Sequence, residues 1–348
     1  MTSSTRGPPQ RLIAEARQGS RKRLGQLLEA YRNYLARDPE SAVAAFNLAW
    51  NLARDARSEA AIEMYKRALD LGIDEPEEVH LNIANVYTEQ VHDHDEARAH
   101  LRQALSINPG YASAWYNLGN LCEQEGERDE ARRCFEHCLE RDPANESALA
   151  RLSETQAFED PDDPLLQRLV TVAAESTNSN IHFALGKAYE QLGDFERAWR
   201  HFEKGNALDR QAMPPWRPAE AKAWFDAVAA HCGTGWLDRF DGDSDEAVFI
   251  CGMFRSGSTL LEQMLASHPR FVAGGESEFF PRLVAKALPR YPEGLADVSG
   301  ANLRAWREAR ADLLRRQFGG GSRITDKRPD NVRYLGLIKA VLPAAKFI

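Results

Sequence analysis

Ala247-Val248-Phe249-Ile250-Cys251-Gly252-Met253-Phe254-Arg255-Ser256-Gly257-Ser258-Thr259-Leu260-Leu261 begins apolar, passes through a Gly/Ser loop carrying one arginine, and turns apolar again. A short unbroken apolar run bounded by turn residues has the pattern of a buried strand. Gly252 and Gly257 allow the turn, and a helix is expected from Ser258. Such a strand–loop–helix aims backbone N–H groups and the positive end of a helix at one point, which suits a phosphate. The stretch therefore predicts an α/β unit that holds a phosphorylated nucleotide.

The sequence beyond it keeps alternating. After a helix from Ser258 to about Ser267 comes the apolar piece Arg270-Phe271-Val272-Ala273. Ser322-Arg323-Ile324-Thr325-Asp326-Lys327 reads as a strand, Tyr334 to Leu342 as a helix, and Ala345-Lys346-Phe347-Ile348 as the start of another strand. Strands alternating with helices imply a parallel sheet whose ligand lies at the carboxyl edge of the strands. A Walker A site would need Gly-Lys-Ser/Thr, with the lysine reaching the outer phosphates. Here Gly257 is followed by Ser258-Thr259, and the loop's cation, Arg255, precedes the glycine. ATP is therefore disfavoured.

Upstream the chain repeats. Phe46-Asn47-Leu48-Ala49, Leu81-Asn82-Ile83-Ala84 and Tyr116-Asn117-Leu118-Gly119 recur at 35-residue steps. Each is followed by a second helical signal: Ala61, Tyr65 and Ala68; then Ala97, Leu101 and Ala104; then Ala131, Phe135 and Cys138. The spacing of three or four makes each unit a helix pair with one small/large seam. Trp115, Leu118, Gly119, Ala131, Phe135 and Pro143 resemble the tetratricopeptide repeat, and Ile181–Tyr189 with Gly193, Ala198 and Phe202 looks like a further unit. Glu159-Asp160-Pro161-Asp162-Asp163-Pro164 marks a break, with an irregular helix expected over 164–177. Pairs of this kind bury their seams only by stacking into a superhelix. The groove of such an array takes an extended peptide, with Asn47, Asn82, Asn85, Asn117 and Asn120 as candidates to meet its backbone. Alternatively, the array braces the domain that follows and the asparagines are ordinary polar positions.

Composition narrows the function classes. The net charge of −8 argues against generic nucleic-acid binding. Nothing approaches the run of about 18 apolar residues that a membrane helix needs. The five cysteines are irregularly spaced, which fits a reducing cytoplasm better than a disulfide framework. Cys134, His137 and Cys138 lack a second ligand pair for a closed metal site, so they read as a helix packing face and no metal is expected.

The loop Phe254-Arg255-Ser256-Gly257-Ser258-Thr259-Leu260-Leu261 resembles the 5′-phosphosulfate loop of sulfotransferases, with Phe254 in place of the family's proline. Gly274-Gly275-Glu276-Ser277-Glu278-Phe279-Phe280-Pro281-Arg282 and Thr325-Asp326-Lys327-Arg328-Pro329-Asp330-Asn331 are similar to two further segments of tyrosylprotein sulfotransferases and their repeat-bearing bacterial relatives. The resemblance implies 3′-phosphoadenylyl sulfate (PAPS) as sulfuryl donor and a hydroxyl acceptor. It implies donor binding by Arg255, Ser256, Gly257, Ser258, Thr259 and Leu260, with Glu276 as general base and Arg255 and Lys327 neutralising developing charge. Glu278 is the competing acid. It stands where tyrosylprotein sulfotransferases carry a basic residue, so their preference for acidic peptides does not carry over. Arg255 has a plainer alternative in pairing with a carboxylate, and Lys327 in bracing the sheet edge through Asp326. His268 is expected to cap a helix end.

The expected fold is α plus α/β. It has an N-terminal tail and leading helix (1–40), a tetratricopeptide α-solenoid (41–215), a connecting helix and linker (216–246), and a partial P-loop-like sulfotransferase domain with a parallel sheet (247–348). The family's 3′-phosphate clamp would follow Ile348, so a truncated protein or fragment with an intact 5′ half-site and weak or absent turnover is expected. The expected partner is a peptide or protein in the repeat groove, with peptide tyrosine favoured over a sugar or small-molecule hydroxyl. The competing function is a non-catalytic repeat scaffold carrying a remnant nucleotide fold.

Overall fold

A computed structural model of the chain describes residues 21–213, 215, 217–238, 246–254, 256–319 and 323–348. The expected N-terminal tail, Arg255, Ser322 and most of the polar turn before Ala247 lie outside the described residues. The chain forms two compact units, residues 1–214 and 215–348.

The first unit is helical. Its elements are α1 (Arg21–Arg37), α2 (Ala42–Arg54), α3 (Ser58–Asp70), α4 (Pro76–Val86), α5 (His94–Ile107), α6 (Ala112–Gln124), α7 (Arg128–Arg141), α8 (Glu146–Glu154), α9 (Pro164–Ala173), α10 (Ser179–Gln191) and α11 (Phe195–Ala212). The side chains of Asp93, Asn145 and Asp194 accept first-turn N–H groups at 3.1, 2.9 and 3.0 Å, which starts α5, α8 and α11. The period seen in the sequence corresponds to the pairs α2–α3, α4–α5, α6–α7 and α10–α11. Their seam is a close approach of backbone to ring. A Cβ on Gly119 would lie 2.6 Å from the Phe135 ring, and one on Gly186 would lie 2.4 Å from the Phe202 ring. Cys134 and Cys138 are buried in this core, whereas His137 stacks on Trp115 with centroids 4.6 Å apart.

Two features depart from the period. The segment expected as an irregular helix is regular through α9, because Pro164 opens it and Asp163 accepts the N–H groups of Leu165 and Leu166 at 2.8 and 3.2 Å. Its buried Leu166 and Leu169 pack on α8 and α10 without the alanine/aromatic seam, so the repeat pattern passes over it. The second feature is one additional residue in the α4–α5 pair, absorbed by a π-helical turn at Tyr87–Val91. Within it Gln90 reaches the preceding pair, donating to the Ala53 carbonyl at 3.0 Å and accepting from Ser58 at 2.8 Å.

The repeats carry a matched pair of histidine contacts. Nδ1 of His80 lies 2.9 Å from Nδ1 of His100, and Nδ1 of His182 lies 3.1 Å from Nδ1 of His201. Tyr87 stacks on His100 and Tyr189 on His201. His182 follows His80 by 102 residues, but His201 follows His100 by 101, the difference being the π-turn's extra residue. Each contact is a hydrogen bond when both rings are neutral, one Nδ1–H donating to the other nitrogen. Burial lowers the pKa of all four rings and takes His100 to about 4, with His80 and Lys66 adding to the effect. Lys204 lowers both His182 and His201, while Glu146 opposes this at His182.

The second unit contains α12 (Pro218–His231), α13 (Thr234–Leu237), β1 (Val248–Phe249), α14 (Ser258–Ala266), β2 (Phe271–Val272), α15 (Phe279–Ala287), α16 (Gly300–Phe318), β3 (Arg323–Asp326), α17 (Leu335–Val341) and β4 (Lys346–Phe347). The strands form one parallel sheet in the order β2-β3-β1-β4. Val248 and Phe249 pair with Thr325 and Asp326 on one side and with Lys346 and Phe347 on the other. The core gathers Phe249, Phe280, Leu295, Leu337, Ile338 and Val341, each at most 1% exposed. Parallel strands put the loops that leave β1, β2 and β3 at one edge of the sheet.

Two outcomes test this packing. Gly119→Ala should cost about 1–3 kcal/mol in urea unfolding, since the clash outweighs alanine's helix advantage of roughly 1 kcal/mol. Between the ordinary histidine value of 6.5 and about 4 the unfolded chain binds protons that the folded rings do not, so stability falls as pH drops through that window. Thermal unfolding followed by circular dichroism should show this fall, and the double variant His100→Phe/His201→Phe should flatten it.

Candidate functional site

The loop after β1 is drawn out at the sheet edge. Ile250 N–H donates to the Asp326 carbonyl at 2.8 Å, extending the pairing with β3 before the chain leaves it. Gly257 caps α14 at φ +88°, in the left-handed region that glycine adopts without strain. A glycine cap brings no side chain to the helix end, so first-turn N–H groups at Ser258, Thr259 and Leu260 are available to an anion. Ser256, Gly257, Thr259 and Leu260 are exposed, and Ser258 is half-buried. Arg255 lies outside the described residues.

The other two motifs meet at the same edge. Lys327 Nζ donates to Glu276 Oε1 at 2.9 Å, joining residues 51 apart in the chain. The Lys327 side chain is 16% exposed and that of Glu276 50%, so the lysine is held and the carboxylate opens to solvent. Lys327 N–H donates to the Gly275 carbonyl at 2.9 Å, fixing the two segments by their backbones as well. Glu278, the competing acid, instead pairs with Arg328, which also reaches Asp330 at 2.6 Å. Lys327 thus pairs with Glu276, while Asp326 accepts from Asn331 Nδ2 at 2.8 Å and from the Arg328 N–H at 3.3 Å. His268 closes the turn after α14, its Nδ1 accepting the Arg270 N–H at 3.2 Å.

Three buried polar residues stand behind the edge. Asp326 is 2% exposed, and burial pushes its carboxyl from 3.8 up to about 6, against the pull of the Arg328 N–H, Asn331 and the Arg310 charge. Asn331 is fully buried against it. Glu262, 2% exposed on α14, accepts from Thr325 Oγ1 at 2.7 Å and from Gly275 N–H at 3.1 Å. In the sequence Asp326 is named as the residue through which Lys327 could brace the edge, and Asn331 ends the segment Thr325–Asn331 that resembles the sulfotransferases. Glu262 gave no such signal, because a glutamate between leucines on a short helix reads as solvent-facing.

In the repeat unit the asparagines are partly self-satisfied. The amides of Asn47 and Asn82 donate to the carbonyls of Val43 and Glu78 at 2.9 and 2.8 Å, and Asn117 donates to Asn85 Oδ1 at 2.8 Å. Asn120 Oδ1 is buried without a hydrogen-bond partner.

Comparison with known proteins follows the same division. The sulfotransferase family matches residues 247–348, which hold every residue of the edge just described. The tetratricopeptide repeat matches residues 28–76, 89–154 and 179–211. The chain is a tetratricopeptide-repeat, sulfotransferase-like protein. It is similar to an uncharacterized protein of Aquifex aeolicus, 27% identical over 271 residues, covering 73% of this chain and 35% of that one. It is also similar to anaphase-promoting complex subunit 3 of Schizosaccharomyces pombe, 25% identical over 167 residues, which are 36% of this chain and 25% of that one. The repeat protein thus spans about a third and a quarter of the lengths of these relatives. Among solved structures, MamA aligns with a TM-score of 0.34 at 19% identity, over 55% of this chain and 91% of that one.

The turn that carries Glu276 tolerates no added side chain in this sulfotransferase-like segment. A Cβ on Gly274 would lie 2.1 Å from the Thr325 carbonyl oxygen and 2.6 Å from Ile324 Cγ2. Gly274→Ala should therefore push the turn off β3 and cost about 2 kcal/mol or more in urea unfolding, with increased protease cleavage near residue 275.

Proposed function

We propose that this chain transfers a sulfuryl group from PAPS to a hydroxyl acceptor. The observation that carries the reading is the Glu276–Lys327 contact at 2.9 Å, made by two distant motifs at the strand edge that also bears the loop. The residues fit the donor: a glycine-capped helix start with exposed loop residues suits its 5′-phosphate, and a mostly buried lysine offers a fixed positive charge beside it. When bound, PAPS supplies a sulfuryl group already activated by its phosphate leaving group.

The chain's own residues then have separate tasks. Backbone N–H groups from residues 255 to 260, with the Ser258 and Thr259 hydroxyls, hold the phosphate, and the Arg255 guanidinium adds charge to that grip. Glu276 takes the proton from the acceptor hydroxyl, since its carboxylate is ion-paired yet open to solvent. Lys327 orients the Glu276 carboxylate through their contact and compensates negative charge that accumulates as the transfer proceeds. No metal is needed for these roles.

A tyrosine in a peptide is the favoured acceptor. Met253, Phe254, Leu260 and Met264 stand 63–81% exposed on and beside the loop, offering an apolar surface to a phenol ring. The repeat array would supply the peptide groove. The competing reading, a non-catalytic repeat scaffold, predicts no response of the loop to nucleotide.

Calorimetric titration with the desulfated product PAP separates the two. PAP should bind, ATP should bind more weakly, and Arg255→Ala should abolish PAP binding. Glu276→Gln should leave PAP affinity unchanged and slow sulfuryl transfer to a tyrosine peptide by about 100-fold or more. Absence of PAP binding would leave the scaffold.

A further inference from the structure

Helix α14 is packed inside out. Glu262 is its buried residue at 2% exposure, while Leu260 and Met264 stand 67% and 63% exposed. Leu261 and Leu265 are only half-buried, so hydrophobic burial by itself seats this helix weakly. A carboxylate taken out of water must recover its hydration from fixed donors. Glu262 Oε1 does so on two other elements: it accepts Thr325 Oγ1 from β3 at 2.7 Å and Gly275 N–H, from the turn after β2, at 3.1 Å. Gly275 is thereby held at both ends of its backbone, its N–H by Glu262 and its carbonyl by Lys327 N–H at 2.9 Å. The next residue is Glu276, whose carboxylate meets the Lys327 ammonium.

We infer that Glu262 is a positioning residue. Its carboxylate locks the Gly274–Gly275 turn to β3 and so sets the Glu276–Lys327 pair, while its own helix begins at the loop glycine five residues earlier. Glu262 touches neither donor nor acceptor, and it acts through Gly275. The assignment rests on the sulfotransferase reading for the meaning of the pair, but the geometry it explains stands apart from turnover. The required group is an acceptor oxygen rather than a charge, so glutamine should serve and alanine should not.

The test reads Lys327 directly. The full chain is treated with the N-hydroxysuccinimide ester of acetic acid, and acetylation at Lys327 is timed by peptide mass spectrometry. Losing the shared acceptor of two hydrogen bonds is large enough that Glu262→Ala should acetylate Lys327 about tenfold faster than wild type, with Glu262→Gln within about twofold. Thr325→Val, which keeps the shape but removes both the donor to Glu262 and the acceptor of Gly274 N–H, should also accelerate labelling and carries the test if Glu262→Ala does not fold. In turnover, Glu262→Ala should lower kcat about tenfold while the KM for PAPS stays within about twofold, and Glu262→Gln should restore kcat. Equal labelling rates in wild type, Glu262→Ala and Thr325→Val would overturn the inference. So would a Glu262→Gln variant as fast as alanine. If wild type failed to bind PAP, the donor reading would fall, and the labelling contrast would still decide the role of Glu262.

Discussion

Strand β3 is the element on which the second unit depends. It pairs in parallel with β1 on one side and β2 on the other, so the loops leaving all three strands reach the same edge. Its last residues have distinct duties. Thr325 bonds the helix that follows the Gly/Ser loop, Asp326 anchors the start of the next segment through Asn331 and Arg328, and Lys327 meets Glu276. A slip of one residue would exchange these roles, because successive strand residues point to opposite faces. The short strands are therefore held as much by polar contacts at their ends as by their ladders.

That design has a cost. Asp326, Glu262, Asn331 and Arg310 are all at most 4% exposed in the second unit, residues 215–348. Burying such groups is unfavourable unless each finds a partner, and Asp326 Oδ2 and Asn331 Oδ1 are buried without a hydrogen bond. The raised Asp326 carboxyl, at about 6, records this cost at one position. The helical repeats are stabilised the other way, by alanine, glycine and cysteine seams with almost no exposure. Among the described residues, Asn51, Ser153, Ser176 and His182 are buried polar exceptions, and in each of the two histidine pairs the partners hydrogen-bond across the paired helices of a repeat.

Much of this was legible in the sequence where one local pattern sufficed. The seam of the repeats shows as Ala, Gly and aromatic positions at fixed spacing, since each pair reuses the same backbone approach. Alternating apolar runs located β1, β2, β3 and β4 to within a residue or two. The pattern weakened where a different local device did the same work. Helix α9 begins on a proline and an aspartate cap and packs leucines in place of the seam. The additional residue near Tyr87 is invisible in the first-helix spacing and appears as a π-turn. The histidine partners, 19 and 20 residues apart, have no local signature, because only the antiparallel return of the second helix joins them.

By itself the sequence determined a repeat array followed by an α/β segment whose Gly/Ser loop ends on a helix-capping glycine, because periodicity and turn chemistry are local properties of the chain. It also marked Glu276 and Lys327 individually, through the segments that contain them. Only the tertiary structure decided that these two pair with each other while Glu278 is taken by Arg328, and that a glutamate on an apolar helix turns inward to hold the turn between them. Those outcomes depend on which strand edge each segment reaches and on which donors are left without water there, and neither is encoded within any one stretch.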